Sequence, residues 1–108
     1  MKFVNLTPHV IMLETEFGRL EIKSSGFARS SMIIEDLEPM GDSVTGRIMR
    51  KRVKYGPVEG LPDPEDGTIY IVSRLTKQQI PNRSDCLVPE DPIRDEEGNV
   101  IGCRALAD

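Results

Sequence analysis

The sequence has no tryptophan, only 5% aromatic residues, one histidine and two cysteines in 108 residues. With so little aromatic surface, its core must be mainly aliphatic. His9, Cys86 and Cys103 stand apart with no CxxC pair, so no recognised ligand set, metal centre or cofactor is expected. A disulfide between the two cysteines has nothing in the spacing to support it. So few cysteines fit a reducing cytosol better than a stapled secreted framework. The net charge of −4 argues against a general nucleic-acid binder, whose affinity comes from neutralising phosphates. No apolar run approaches the roughly 18 residues of a membrane helix. Met1-Lys2-Phe3-Val4-Asn5 turns polar too early for a signal peptide. The expectation is a cytoplasmic protein that binds neither nucleic acid nor membrane.

What remains is sufficient for one globular domain, residues 1–108. At 38% hydrophobic and 30% charged, a chain this long buries roughly two-thirds of its unfolded surface. The organising stretch is Gly60 to Ser73. Its prolines, Pro62 and Pro64, stiffen a loop, Asp66-Gly67 makes a turn, and Thr68 to Val72 reads as a strand covered on both faces. Ser73 is an N-cap for a short helix over about 74–80, with Leu75 and Ile80 towards the core and Pro81 as its stop.

Upstream, Phe3–Leu6 and Val10–Leu13 read as strands separated by a kink at Pro8, which lacks an N–H. Arg19–Lys23 alternates like a half-buried strand, and together these segments suggest an N-terminal hairpin. Phe27–Asp36 fits strand or helix, with the β-branched Ile33-Ile34 favouring strand, and Pro39–Ser43 reads as a turn. Val44–Tyr55 is a further strand carrying Arg47, Arg50, Lys51, Arg52 and Lys54. That basic run is either the charged guard of a solvated edge or a surface for an anionic partner. Asn82–Pro92 reads mostly as loop around Cys86-Leu87-Val88. Ile93–Asp95 and Val100–Leu106 then form a C-terminal hairpin, with Gly98 supplying positive φ. The predicted class is α+β: a mainly antiparallel β-sheet with one short helix.

Three groups of segments together resemble a known pattern. They are Val4-Asn5-Leu6-Thr7-Pro8-His9, then Gly60-Leu61-Pro62 through Gly67 to Ser73, and then Pro81–Asp85 with Arg94-Asp95-Glu96 and Ile101-Gly102-Cys103-Arg104. The pattern is similar to that of a family of small, mostly uncharacterised proteins of phages, prophages and bacteria. The likeness spans nearly the whole chain and departs most between Phe27 and Tyr55. It implies a phage context, hence a host cytoplasm, and no assigned reaction.

These segments supply the candidate ligand-binding residues: Asn5, Thr7, His9, Ser73, Arg74, Arg83, Asp85, Arg94, Asp95 and Arg104. Arginine suits phosphate and carboxylate because its donors form a rigid fork. Arg94 can equally be a structural clamp on Asp95 or Asp85. His9 can stack on a ligand, act as a base or be structural. Asn5 and Thr7, alternating along one strand, either hydrogen-bond a ligand or satisfy backbone freed by Pro8. Cys103 and His9 form a nucleophile–base pair only if the fold brings them together. No catalytic constellation emerges, so the reading is a non-enzymatic protein that captures a small, anionic, nucleotide-like metabolite. By analogy with phage anti-defence proteins, it would be a sponge for an ADP-ribose-type immune signal, with a homodimer completing the site. One competing reading is a protein-interaction module that docks on a host or virion protein through the basic strand 47–54, and another is a hydrolase or transferase that uses His9.

Overall fold

Pro8 shapes the start of the fold. In a computed structural model describing all 108 residues, strand β1 (Lys2–Asn5) ends before Pro8, and the chain resumes as β2 (Ile11–Thr15). A tight turn leads to β3 (Gly18–Ile22), which pairs with β2 as an antiparallel hairpin. Next come two long strands, β4 (Arg29–Ser43) and β5 (Gly46–Glu59), paired only with each other. They are followed by β6 (Thr68–Ile71), helix α1 (Arg74–Gln79), β7 (Cys86–Arg94) and β8 (Val100–Ala107).

The six strands outside the β4–β5 hairpin form one sheet in the order β1-β6-β7-β8-β2-β3. It is mixed. β1 and β7 both run parallel to β6, and β2 runs parallel to β8, whereas β2–β3 and β7–β8 are antiparallel. The six-stranded sheet is thus not purely antiparallel, while the largely β composition, the single short helix and the C-terminal hairpin expected from sequence stand. The physical reason is long-range pairing: β1 does not join an N-terminal hairpin but lies beside β6, more than sixty residues later.

The sheet also curls. A bridge joins Asn5 to Ser24, and the Ser25 N–H donates to the Asn5 carbonyl at 2.8 Å, so the outer strands β1 and β3 meet. Ile11, Ile22, Ile71 and Cys103 pack inside this curl with Phe3, Leu13 and Leu106. A second layer lies on the other side of β6: Leu6, Ala28, Tyr70, Val72, Cys86 and Val88, packed with Val58, Leu61 and Ile80. β6 thus sends Ile71 into one layer and Tyr70 to the other, as its unbroken apolar run predicts. The loop closing the outer layer begins at Gly60, at φ +83°, where a Cβ would lie 2.4 Å from the Phe27 carbonyl oxygen. Only glycine passes there.

The β4–β5 hairpin forms an arm. A compact chain of this length has a radius of gyration of about 13 Å, but this one measures 18.2 Å, with extents of 58 × 39 × 20 Å. The expected turn at Pro39–Ser43 lies within β4, and the reversal comes at Val44-Thr45. Proline is tolerated because a two-stranded ribbon has a free edge and its register shifts just beyond Pro39. The expected loop around Cys86 is likewise strand β7, despite Pro89 and Pro92. β6 pairs only with Cys86 and Leu87, so on that side neither proline faces a ladder that needs its N–H. In α1, Leu75 is exposed, and it is Thr76 and Lys77 that turn inward. The Thr76 hydroxyl donates to the Ala28 carbonyl at 3.0 Å and ties the helix to the root of the arm. No helix is long and apolar enough to cross a membrane.

Candidate ligand cleft

The cleft begins where β7 outruns its neighbour. Beyond Leu87 that side of β7 has no strand partner, and Pro89, Glu90 and Pro92 form one wall of a cavity of about 540 Å³. β8 contributes Val100 to Cys103, and β2 contributes Ile11 and Met12. Their ladder holds at Leu13–Cys103 alone. At the floor Gly102 lets the strands touch, since a Cβ there would lie 2.9 Å from the Met12 carbonyl oxygen.

The segment broken by Pro8 forms the rim. Asn5 is fully buried, and its amide donates to the carbonyls of His9 (2.7 Å) and Ile22 (2.9 Å). Its carbonyl oxygen accepts from the Thr7 N–H (2.9 Å) and hydroxyl (2.7 Å). Asn5 and Thr7 therefore satisfy the backbone around Pro8, one of the two roles expected of them. Their effect is to present the His9 ring, which makes no hydrogen bond within the chain, at the mouth of the cleft.

Opposite His9, Ser73 caps α1: its hydroxyl accepts from the Thr76 N–H and bonds the Thr76 hydroxyl at 2.9 Å. The cap fixes Arg74 over the cleft, where its guanidinium pairs with Glu90. Arg74 remains 65% exposed in this pair and Glu90 32%, so both can exchange partners with a solute. Cys103 is buried at the floor. Burial pushes its thiol above the ordinary value of 9.0, which keeps it protonated at neutral pH and weak as a nucleophile.

Of the residues proposed from sequence, Thr7, His9, Ser73 and Arg74 line this cleft, from segments far apart in the chain. The others serve different places. Arg83 binds Asp85 through two hydrogen bonds (2.8 and 2.9 Å) and also donates to the Pro62 carbonyl (3.1 Å). This pair clamps the Gly60–Gly67 loop. Arg94 donates to the Gly98 carbonyl at 2.8 Å. Asp95 accepts from the Glu97 and Asn99 N–H groups, so both residues shape the β7–β8 turn. Arg104 is exposed on β8 with no partner. Glu90 escaped the sequence reading because Pro89-Glu90-Asp91-Pro92 has the composition of a loop.

A second hollow of about 450 Å³ borders α1 around Lys77. The Lys77 ammonium already donates to the Arg83 carbonyl (2.6 Å) and to Asp108 (3.3 Å). No group of three His, Cys, Asp or Glu side chains is placed to hold a metal ion. The chain matches no family model, no curated protein and no solved structure.

Proposed function

We propose that the protein is a non-enzymatic binder of a small nucleotide-like ligand, held in the cleft beneath His9 and Arg74. The supporting observation is convergence. Two polar segments more than sixty residues apart meet across a cavity of about 540 Å³, within the size range of small-molecule sites. Apolar walls from Val10, Pro89, Pro92 and Ile101 suit a planar ring, on which His9 can stack. Arg74 offers its fork to a phosphate or carboxylate that displaces Glu90. Glu90 in turn can accept from a ribose or base donor. With one guanidinium in the cleft, one phosphate of such a ligand is held directly.

The test is a thermal-shift screen with ADP-ribose, its cyclised forms, NAD and cyclic dinucleotides. These ligands include the immune signals that a phage sponge would sequester. Ligand at a hundred times its dissociation constant stabilises by about 2.7 kcal/mol, several degrees for a domain of this size. The shift should vanish in Arg74→Ala and shrink in His9→Ala, yet survive in Arg94→Ala and Arg104→Ala, whose side chains lie elsewhere. No shift with any of these ligands would remove this ligand class.

A second reading rests on a separate observation, the exposed β4–β5 arm, which favours a protein-interaction module. Its anionic-partner version, docking through residues 47–54, is weakened by the acidic residues that β4 sets against that strand.

A further inference from the structure

Arg74 borders two hollows at once. It lines the cleft of about 540 Å³, and it also lines the hollow of about 450 Å³ beside α1. β7 connects them. Val88 lies in the hollow and Glu90 in the cleft, and residues two apart on a strand share a face about 7 Å from each other. This is the stretch of β7 whose edge has no partner in β6 beyond Leu87. A ligand longer than one nucleotide unit can therefore run along β7 from the cleft into the hollow, passing Arg74 on the way.

The hollow holds a cation fixed in advance. Lys77 is only 9% exposed, an unusual degree of burial for lysine. The Arg83 carbonyl anchors its ammonium at 2.6 Å, and Asp108 supplies its counter-charge at 3.3 Å. An ammonium has three donors, so one is left without an acceptor in the chain. The Asp108 side chain is 74% exposed, and a pair with so solvated a partner holds weakly. A phosphate can take its place, as one can take the place of Glu90 at Arg74. The rest of the lining differs from the apolar cleft. Gln78, Asn82 and Ser84 border the hollow, and their side chains make no hydrogen bond within the chain. Such a set suits the hydroxyls of a sugar better than a flat ring.

We infer that this hollow is a second subsite for the same ligand, which is a diphosphate-linked nucleotide. Its first phosphate meets Arg74, its second meets Lys77 in place of Asp108, and its distal sugar lies among Gln78, Asn82 and Ser84. The inference rests on the reading of the cleft as a nucleotide site. Helical spacing supports the match. Arg74 and Lys77 are three residues apart on α1, so they share a face with Cβ atoms about 5–6 Å apart. Two cations at that spacing straddle a pair of linked phosphates.

Isothermal titration calorimetry with AMP and with ADP-ribose separates the two subsites. AMP has one phosphate and no distal sugar, so ADP-ribose should bind the unaltered chain more than about tenfold tighter. The ratio of the two dissociation constants reads the hollow alone, because partial misfolding of a variant weakens both ligands equally. That ratio should fall towards one in Lys77→Met. In Asp108→Asn, which keeps the cation and removes its competitor, the advantage of ADP-ribose should grow by up to about fivefold. A purely structural Lys77–Asp108 pair would leave the ratio unmoved in both variants. Equal affinity for AMP and ADP-ribose in the unaltered chain, or a ratio indifferent to both substitutions, would overturn the inference and leave the cleft reading in place. Failure of both nucleotides to bind would remove the cleft reading, and this inference with it.

Discussion

Asp85 shows how a polar residue close to the core contributes to folding. Its carboxylate accepts two hydrogen bonds from Arg83, while its backbone carbonyl accepts from the Tyr70 N–H at 2.8 Å. The Arg83 guanidinium holds the Asp85 carboxyl below its ordinary value of 3.8, and the Arg83 value is raised in turn. Because the folded-state value is depressed, the contribution is fully present above the unfolded pKa. It is lost as pH falls below about 4 and through the folded-state value. With side chains 24% and 19% exposed, the pair should contribute about 1–2 kcal/mol, less than a dry charged hydrogen bond. Urea unfolding at pH 7 and pH 3 measures it. Asp85→Asn should lower stability at pH 7 by that amount and flatten this part of the acid dependence. An unchanged pH profile would show that the clamp does not stabilise the loop. Asn5 illustrates a neutral counterpart, a buried side chain whose hydrogen bonds all stay inside the protein and hold the His9 backbone in place.

At the scale of the element, α1 links stability to the cleft. A helix this short cannot stand alone, so it depends on its cap and on Thr76 bonded to the arm root. Ser73→Ala should cost about 1 kcal/mol and also loosen Arg74 over the cleft. Leu75→Lys, at an exposed position, should change stability by less than about 0.5 kcal/mol. Thermal denaturation of the two variants separates them, and a large loss from Leu75→Lys would contradict the observed helix orientation. The contrast also shows what sequence could and could not reveal. β6 and the α1 cap were legible because an apolar run and a capping serine act within a few residues. Leu75 was misplaced because hydrophobicity alone does not set the rotation of a six-residue helix. β7 and the far end of β4 were hidden because Pro89, Pro92 and Pro39 carry the local signature of turns. Their tolerance depends on which strand edge is free, a property of the assembled sheet. The parallel pairing of β1 with β6 left no local mark at all. In the cleft, Thr7, His9, Ser73 and Arg74 were legible as polar groups at breaks between elements. Glu90 was not, because its partner Arg74 lies across the fold. Arg83, Asp85, Arg94 and Asp95 carry suitable chemistry, but each is occupied in a loop or turn of its own neighbourhood.

Across the whole molecule, β6 is shared between two apolar layers, and this predicts how the body comes apart. Ile71 packs with Cys103 in the enclosed layer, while Tyr70 and Val72 pack with Cys86 in the outer one. Neither layer can lose β6 without exposing the other, so both should open in one transition. The two free cysteines report on them separately. Both are buried, and burial raises both thiols above the ordinary value of 9.0, so a thiol reagent at neutral pH should find neither in the native state. As denaturant is added, Cys86 and Cys103 should become reactive at the same concentration, coincident with loss of the circular-dichroism signal. Earlier reaction at Cys103 would mean that the wall between β2 and β8, joined by a single ladder pair, opens on its own. The cleft would then be a locally unstable region of the curl, and ligand binding should suppress that early reaction at Cys103 while leaving Cys86 unaffected.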